Sequence, residues 1–165
     1  MSDMTPKETT YMGVRYRSRA EARFATCLMN SPLRNFEYEP GDFRLWTSED
    51  NGWVFDFAVW LPNADILAIE FKPAPASDEY MKLLSKRFEE LNETWGAQCT
   101  FYLIWFDFFS QKKYKETCLL TERVSYHDFG VLKWICSDVW ECKRHTINRS
   151  FFAPGINARF DLRHA

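Results

Sequence analysis

Glycine is scarce in this chain, six in 165 residues, and none sits in a phosphate-cradling loop or a Walker pattern. Nucleotide binding through a glycine-rich turn therefore has nothing to build on. An excess of positive charge is also missing: 21 lysines and arginines face 23 acidic residues, for a net charge of −2 and a pI near 5.9. Any nucleic-acid contact must then come from a local basic patch. The longest apolar run, Phe101 to Phe109, is too short for a membrane span and is broken by Asp107, and no basic-then-apolar signal pattern opens the chain. The expectation is a soluble, cytoplasmic protein without a membrane partner. Cysteine is present in an odd number, Cys27, Cys99, Cys118, Cys136 and Cys142, with no framework spacing, so reduced thiols are expected. Cys136, Cys142 and His145 match no closed zinc pattern, and buried thiols on a helix are the expectation there. His127-Asp128 has no nucleophile in view, and there is neither an internal repeat nor a low-complexity segment.

What the chain does have is apolar mass: 46% hydrophobic and 18% aromatic residues suffice for one compact domain. It divides into a flexible leader (1–12), a core (13–106) and a C-terminal extension (107–165) packed on the same domain. At the centre stand two β-rich runs, Trp53 to Trp60 and Ile66 to Lys72, separated by the turn-forming Leu61-Pro62-Asn63-Ala64-Asp65. They read as a hairpin. The period of two puts Ile66, Ala68, Glu70 and Lys72 on one face of the second strand, and Asp56 with Val54, Ala58 and Trp60 on one face of the first. A three-residue loop centred on Asn63 sets Asp56 directly opposite Glu70, on the same face. An even loop would pair Asp56 with Ile69 or Phe71 and separate the two carboxylates. Two carboxylates among apolar walls repel unless a cation sits between them, and Mg²⁺ or Mn²⁺ with oxygen ligands meets that need. Lys72, two residues beyond Glu70, can then steer the attacking water or stabilise developing charge. The blander reading is a solvated hairpin face that happens to carry charges.

Around this hairpin, Ser18-Arg19-Ala20-Glu21 is a capping box, and Ala20, Phe24, Cys27 and Leu28 follow at helical spacing until Asn30-Ser31-Pro32. Phe36 to Tyr38 and Phe43 to Trp46 are short β-type runs, with Glu37 and Glu39 read as structural or solvated and a place for one of them near the metal left open. Ser77 starts a second amphipathic helix with Met81, Leu84, Phe88, Leu91 and Trp95 on one side, stopped by Gly96. Its outer side shows Lys82, Lys86 and Arg87, a candidate phosphate-contacting patch, and Arg17, Arg19, Lys112 and Lys113 are further candidates for nucleic-acid contact. Cys99 to Phe106 read as a buried strand. The fold class is α/β (α+β), a mixed central β-sheet flanked by helices in the order α-β-β-β-α-β plus the C-terminal extension. In that extension Lys112, Lys113 and Lys115 cluster, Phe129 to Cys142 has a mostly helical pattern, and the basic tail with Phe151 and Phe152 suits DNA or an oligomer contact such as a homodimer.

The acidic residue followed by Glu-x-Lys on the next strand resembles the PD-(D/E)xK nuclease superfamily. Tyr-Arg-Ser-Arg-Ala-Glu (16–21), Phe-Glu-Tyr-Glu (36–39), Phe-Asp-Phe (55–57) and Glu-Phe-Lys (70–72) are similar in layout to the phage endonuclease I type of junction-resolving enzymes and to transposon end-cleaving endonucleases. The likeness covers Tyr16 to Trp105. Phe55 replaces the usual proline, and Pro73 stands where relatives have glycine. The resemblance implies a restriction-endonuclease-like core and a Mg²⁺-dependent endonuclease acting on DNA, branched DNA included, in the cytoplasm, as for a phage protein in its host. It implies Asp56, Glu70 and the Phe71 carbonyl as metal ligands, Glu21 as a third carboxylate able to support a two-metal site, and Lys72 as the catalytic lysine. A non-catalytic module that keeps the fold to bind nucleic acid or a partner protein is the alternative.

Overall fold

The computed structural model describes residues 8–47, 51–106 and 129–142. Within the stretch expected to be a loose leader, Thr9–Tyr11 (β1) pairs antiparallel with Val14–Tyr16 (β2). The two turn residues Met12 and Gly13 both have positive φ, 52° and 80°. This is the twist a two-residue hairpin needs, and the β-prone threonines and tyrosines on either side take it up. The leader expectation is corrected for these residues.

Helix α1 (Arg19–Met29) starts at Ser18, whose Oγ accepts the Glu21 N–H at 3.1 Å. Its buried side, including Ala20, Phe24, Ala25 and Leu28, closes over the sheet. Ser18→Ala removes the acceptor of an otherwise orphaned helix amide and should cost about 1 kcal/mol. A thermal melt should register that as a fall of roughly 2–4 °C.

After α1 come β3 (Phe36–Tyr38), a 3-10 turn (Gly41–Phe43), β4 (Leu45–Trp46) and β5 (Asn51–Trp53). Then follow β6 (Phe57–Trp60), β7 (Ile66–Lys72), α2 (Asp78–Trp95) and β8 (Cys99–Phe106). The expected first hairpin strand is thus split. Its start, with Trp53, pairs with β4 in a small separate sheet, and β6 begins only at Phe57.

Phe129–Cys142, expected to be mostly helical, forms two strands, β9 (Phe129–Cys136) and β10 (Val139–Cys142). Ser137, at φ 48°, turns the chain, and its carbonyl accepts the Trp134 indole N–H at 2.9 Å. Trp134 and Trp140 become cross-strand partners packed on Phe88 of α2. Cys136 and Cys142 are therefore exposed strand residues rather than buried helical thiols. Gly130 is needed here, because a Cβ would meet the Trp105 indole nitrogen at 2.1 Å.

The central sheet has six strands in the order β10-β9-β8-β7-β6-β3, mixed because β7 and β8 run parallel and the other neighbours antiparallel. Helix α2 makes the crossover that a parallel pair requires. Alternate residues of each strand enter two cores. Phe57, Val59, Ile69, Phe71 and Ile104 pack with α1, and Ala58, Ile66, Ala68, Phe101 and Leu103 pack with α2. The protein is a mixed α+β fold whose sheet extends beyond the expected core limit at Phe106. No helix among the described residues is long and apolar enough to cross a membrane. Lys112, Lys113, Lys115 and the basic tail lie outside the described residues.

Candidate active site

The β6–β7 connection fixes what comes together. Leu61 N–H donates to the Asp65 carbonyl at 2.9 Å, Ala64 N–H returns to Leu61 at 3.0 Å, and Asn63 Oδ1 accepts the Asp65 N–H at 3.0 Å. Ala64 takes the left-handed conformation, at φ 72°. The loop is therefore three residues, Pro62 to Ala64. The pairing that results is Phe57↔Ile69, Ala58↔Ala68, Val59↔Leu67 and Trp60↔Ile66. Continued by one step, this register sets Asp56 against Glu70.

Asp56 is held there by its neighbours. Its Oδ2 accepts the Phe71 N–H at 2.8 Å, and its carbonyl accepts the Glu39 N–H at 2.7 Å. Asp56 is 9% and Glu70 3% exposed. Burial pushes the Asp56 carboxyl well above the usual carboxylate range, and the charges of Glu70 and then Glu21, with a hydrogen-bonding contact to Glu70, push the same way. The Phe71 N–H pulls it back.

Glu70 has unequal oxygens. Oε2 accepts the Tyr80 hydroxyl and has Lys72 Nζ at 3.6 Å, whereas Oε1 is buried with no donor hydrogen-bonded to it, since the contact between the Asp56 and Glu70 carboxyls is one between two acceptors when both are ionised. Lys72 is 37% exposed at its side chain, and its ammonium sits 4.7 Å from the Tyr80 ring centroid.

Glu21 approaches from the first turn of α1. Its Oε1 accepts the Tyr38 hydroxyl at 2.8 Å, and that hydroxyl in turn accepts the Arg17 N–H at 3.1 Å. Burial raises the phenols of Tyr38 and Tyr80 above their ordinary value, so both remain protonated donors toward carboxylates. Among the described residues no group of three or more His, Cys, Asp or Glu side chains is placed to hold a metal ion. What converges is a pair, Asp56 and Glu70, with Glu21 acting on Asp56 by its charge while tied to Tyr38.

The basic candidates are more dispersed. Arg17 pairs with Glu39 at 2.6 Å, Lys82 and Lys86 are exposed on α2, and Arg19 is exposed at the start of α1. Arg87 lies over the Trp53 ring at 4.5 Å. Sequence reasoning passed over Tyr38 and Tyr80. Tyr38 alternates with Glu37 and Glu39 and so faces α1, and Tyr80 stands three residues after a serine cap, where a capping glutamate would otherwise be expected.

Chemically, a buried pair of carboxylates with one orphaned oxygen and a neighbouring ammonium fits a hard divalent cation such as Mg²⁺ or Mn²⁺. None of the protein-family models, curated proteins or solved structures compared with this chain matches it.

Proposed function

We propose that this protein is a metal-dependent endonuclease that hydrolyses DNA phosphodiester bonds, branched DNA included, on a restriction-endonuclease-like core of the PD-(D/E)xK kind. The observation that carries the reading is the burial of Asp56 against Glu70 with Glu70 Oε1 unpartnered and Lys72 alongside. Such a pair is poorly suited to a purely structural role, because uncompensated buried charge opposes folding.

In this reading Asp56, Glu70 and the Phe71 carbonyl would hold Mg²⁺ or Mn²⁺. The bound cation would supply Lewis acidity toward the phosphate and a more acidic water. Lys72, half-exposed, presents its ammonium to the phosphate and stabilises the charge that develops there. The Phe71 N–H fixes the Asp56 carboxylate. Glu21, kept in place by Tyr38, adds negative charge that favours cation over anion at the pair. Lys82 and Lys86 are exposed and would contact the DNA backbone.

The direct test is to incubate the protein with a four-way junction, linear duplex and supercoiled plasmid in Mg²⁺, Mn²⁺ or EDTA. Cutting with either metal and none in EDTA is the expected result, and the relative rates on the three substrates tell whether branched DNA is preferred. Net charge −2 favours a second reading, a nuclease-fold module that binds nucleic acid or a protein partner without cutting. DNA binding without cleavage in either metal would establish that reading instead.

Metal should also be visible in the melt. At a Mn²⁺ concentration about 100 times its dissociation constant, the fold gains about 2.7 kcal/mol, or roughly 5–10 °C. The pH dependence follows from Asp56. Its folded pKa is raised, so between the unfolded and folded values the native state binds the extra proton, and metal-free stability falls as pH rises through that window. The metal-induced rise in Tm should therefore be largest above the window and shrink as acid protonates Asp56. A rise independent of pH would point to metal binding elsewhere.

A further inference from the structure

We infer that Tyr80 is a positioning residue that sets both working groups of β7 at once: it turns Glu70 so that Oε1 is the atom left to ligate a divalent cation, and it seats the Lys72 ammonium beside that carboxylate. The inference rests on the metal-dependent reading given above, and it adds to it the ligating atom and the residue that selects it.

The geometry starts with a helix cap. Ser77 Oγ accepts the Tyr80 N–H at 3.1 Å, which fixes the first turn of α2 and with it the direction in which the Tyr80 side chain leaves the helix. From there the hydroxyl donates to Glu70 Oε2. Lys72 Nζ lies 3.6 Å from the same oxygen and 4.7 Å from the centroid of the same ring. Oε2 thus has two cationic or donor neighbours, and Oε1 has none although it is buried. An unpartnered carboxylate oxygen inside a protein is costly, and one that belongs to a close acidic pair is satisfied best by a hard cation. The ring under the ammonium holds Lys72 without neutralising it, because a cation over an aromatic face is attracted while it keeps its charge and its donors. One side chain from α2 thereby ties together two residues that the strand period alone only places on the same face.

The test uses the full chain as wild type, Tyr80→Phe and Tyr80→Leu. Three measurements are made on each: Mn²⁺ binding by the loss of the free-ion electron paramagnetic resonance signal, the melting temperature in EDTA, and single-turnover cleavage of a four-way junction at saturating Mn²⁺. Tyr80→Phe keeps the ring and loses the hydroxyl. It should weaken Mn²⁺ binding about tenfold, the usual effect of losing a partner that orients a ligand, while the cleavage rate at saturating metal stays within about threefold of wild type. Tyr80→Leu also loses the ring. It should weaken binding to a similar extent and lower the saturating rate by a further five- to tenfold, about what loss of one cation–π contact implies. Mn²⁺ binding by Tyr80→Phe equal to wild type overturns the inference, whether or not its melting temperature falls, and leaves Tyr80 a packing residue. A wild type that binds no Mn²⁺ at all overturns the metal reading together with this one, so the two failures are told apart by the wild-type titration.

Discussion

Asp56→Asn should give a protein that binds junction DNA and does not cut it. Asparagine keeps the shape of the side chain and an oxygen for the Phe71 N–H, so β6 and β7 stay in register. It removes one of the two carboxylates that would share a divalent cation, and cleavage with Mg²⁺ should fall by about 10³-fold or more. Affinity for DNA in EDTA should be unchanged or higher. Phosphate contacts come from lysine and arginine, and a buried acidic pair facing the backbone only repels it when no metal is present. The same change relieves a repulsion within the fold, because burial and the neighbouring charges of Glu70 and Glu21 all act against ionised Asp56. The metal-free variant should therefore be more stable than the metal-free wild type, by about 1–3 kcal/mol, and should no longer gain stability from Mn²⁺. Melting curves with and without metal and gel-shift and cleavage assays on the same preparation measure all three. Cutting at the wild-type rate would remove Asp56 from the site.

Lys72→Ala should lose cleavage by about two to four orders of magnitude and keep most of the metal affinity. The ammonium is 3.6 Å from Glu70 Oε2, on the oxygen already taken by Tyr80, so its removal leaves the orphaned Oε1 and the Asp56 carboxylate in place. The variant thereby separates the two functions of the Glu-x-Lys sequence. A single-turnover rate at saturating Mn²⁺ reports the loss, and the Mn²⁺ titration reports what is retained. If the Mn²⁺ affinity collapsed along with the rate, Lys72 would be acting through Glu70 rather than on the substrate.

The hairpin was legible because local chemistry decides it, while its register was legible only as a choice between an odd and an even loop. Pro62, Asn63 and Asp65 specify a short turn between two β-prone runs, and an odd loop puts Asp56 and Glu70 on one face, whereas the apolar residues of β7 are buried on both faces and do not choose between odd and even. Helices α1 and α2 were legible for the same reason, since a serine cap and a helical apolar period coincide in both. Where partners are distant in sequence, reading fails. Phe129, Leu132, Cys136 and Val139 stand three or four residues apart, as on a helical face, and it is the open edge of β8 that makes the segment two strands. Trp53 departs from the hairpin because β4, two residues long, takes it as a partner. Tyr80 and Tyr38 read as ordinary half-buried aromatics, and their link to Glu70 and Glu21 exists only after the helices have packed on the sheet.

Strand β7 is paired along its length with β8 and over four residues with β6, and both faces of the sheet beside it are covered by core. Its amides should thus be among the last to exchange with solvent deuterium, opening only when the whole molecule unfolds, while the two- and three-residue strands β4 and β5 exchange early. On that expectation Glu70 and Lys72 ride on one of the most slowly breathing segments among the described residues. In the proposed endonuclease, whatever adjustment a bent or branched duplex demands would then be made by the substrate and by the peripheral strands, against a fixed centre.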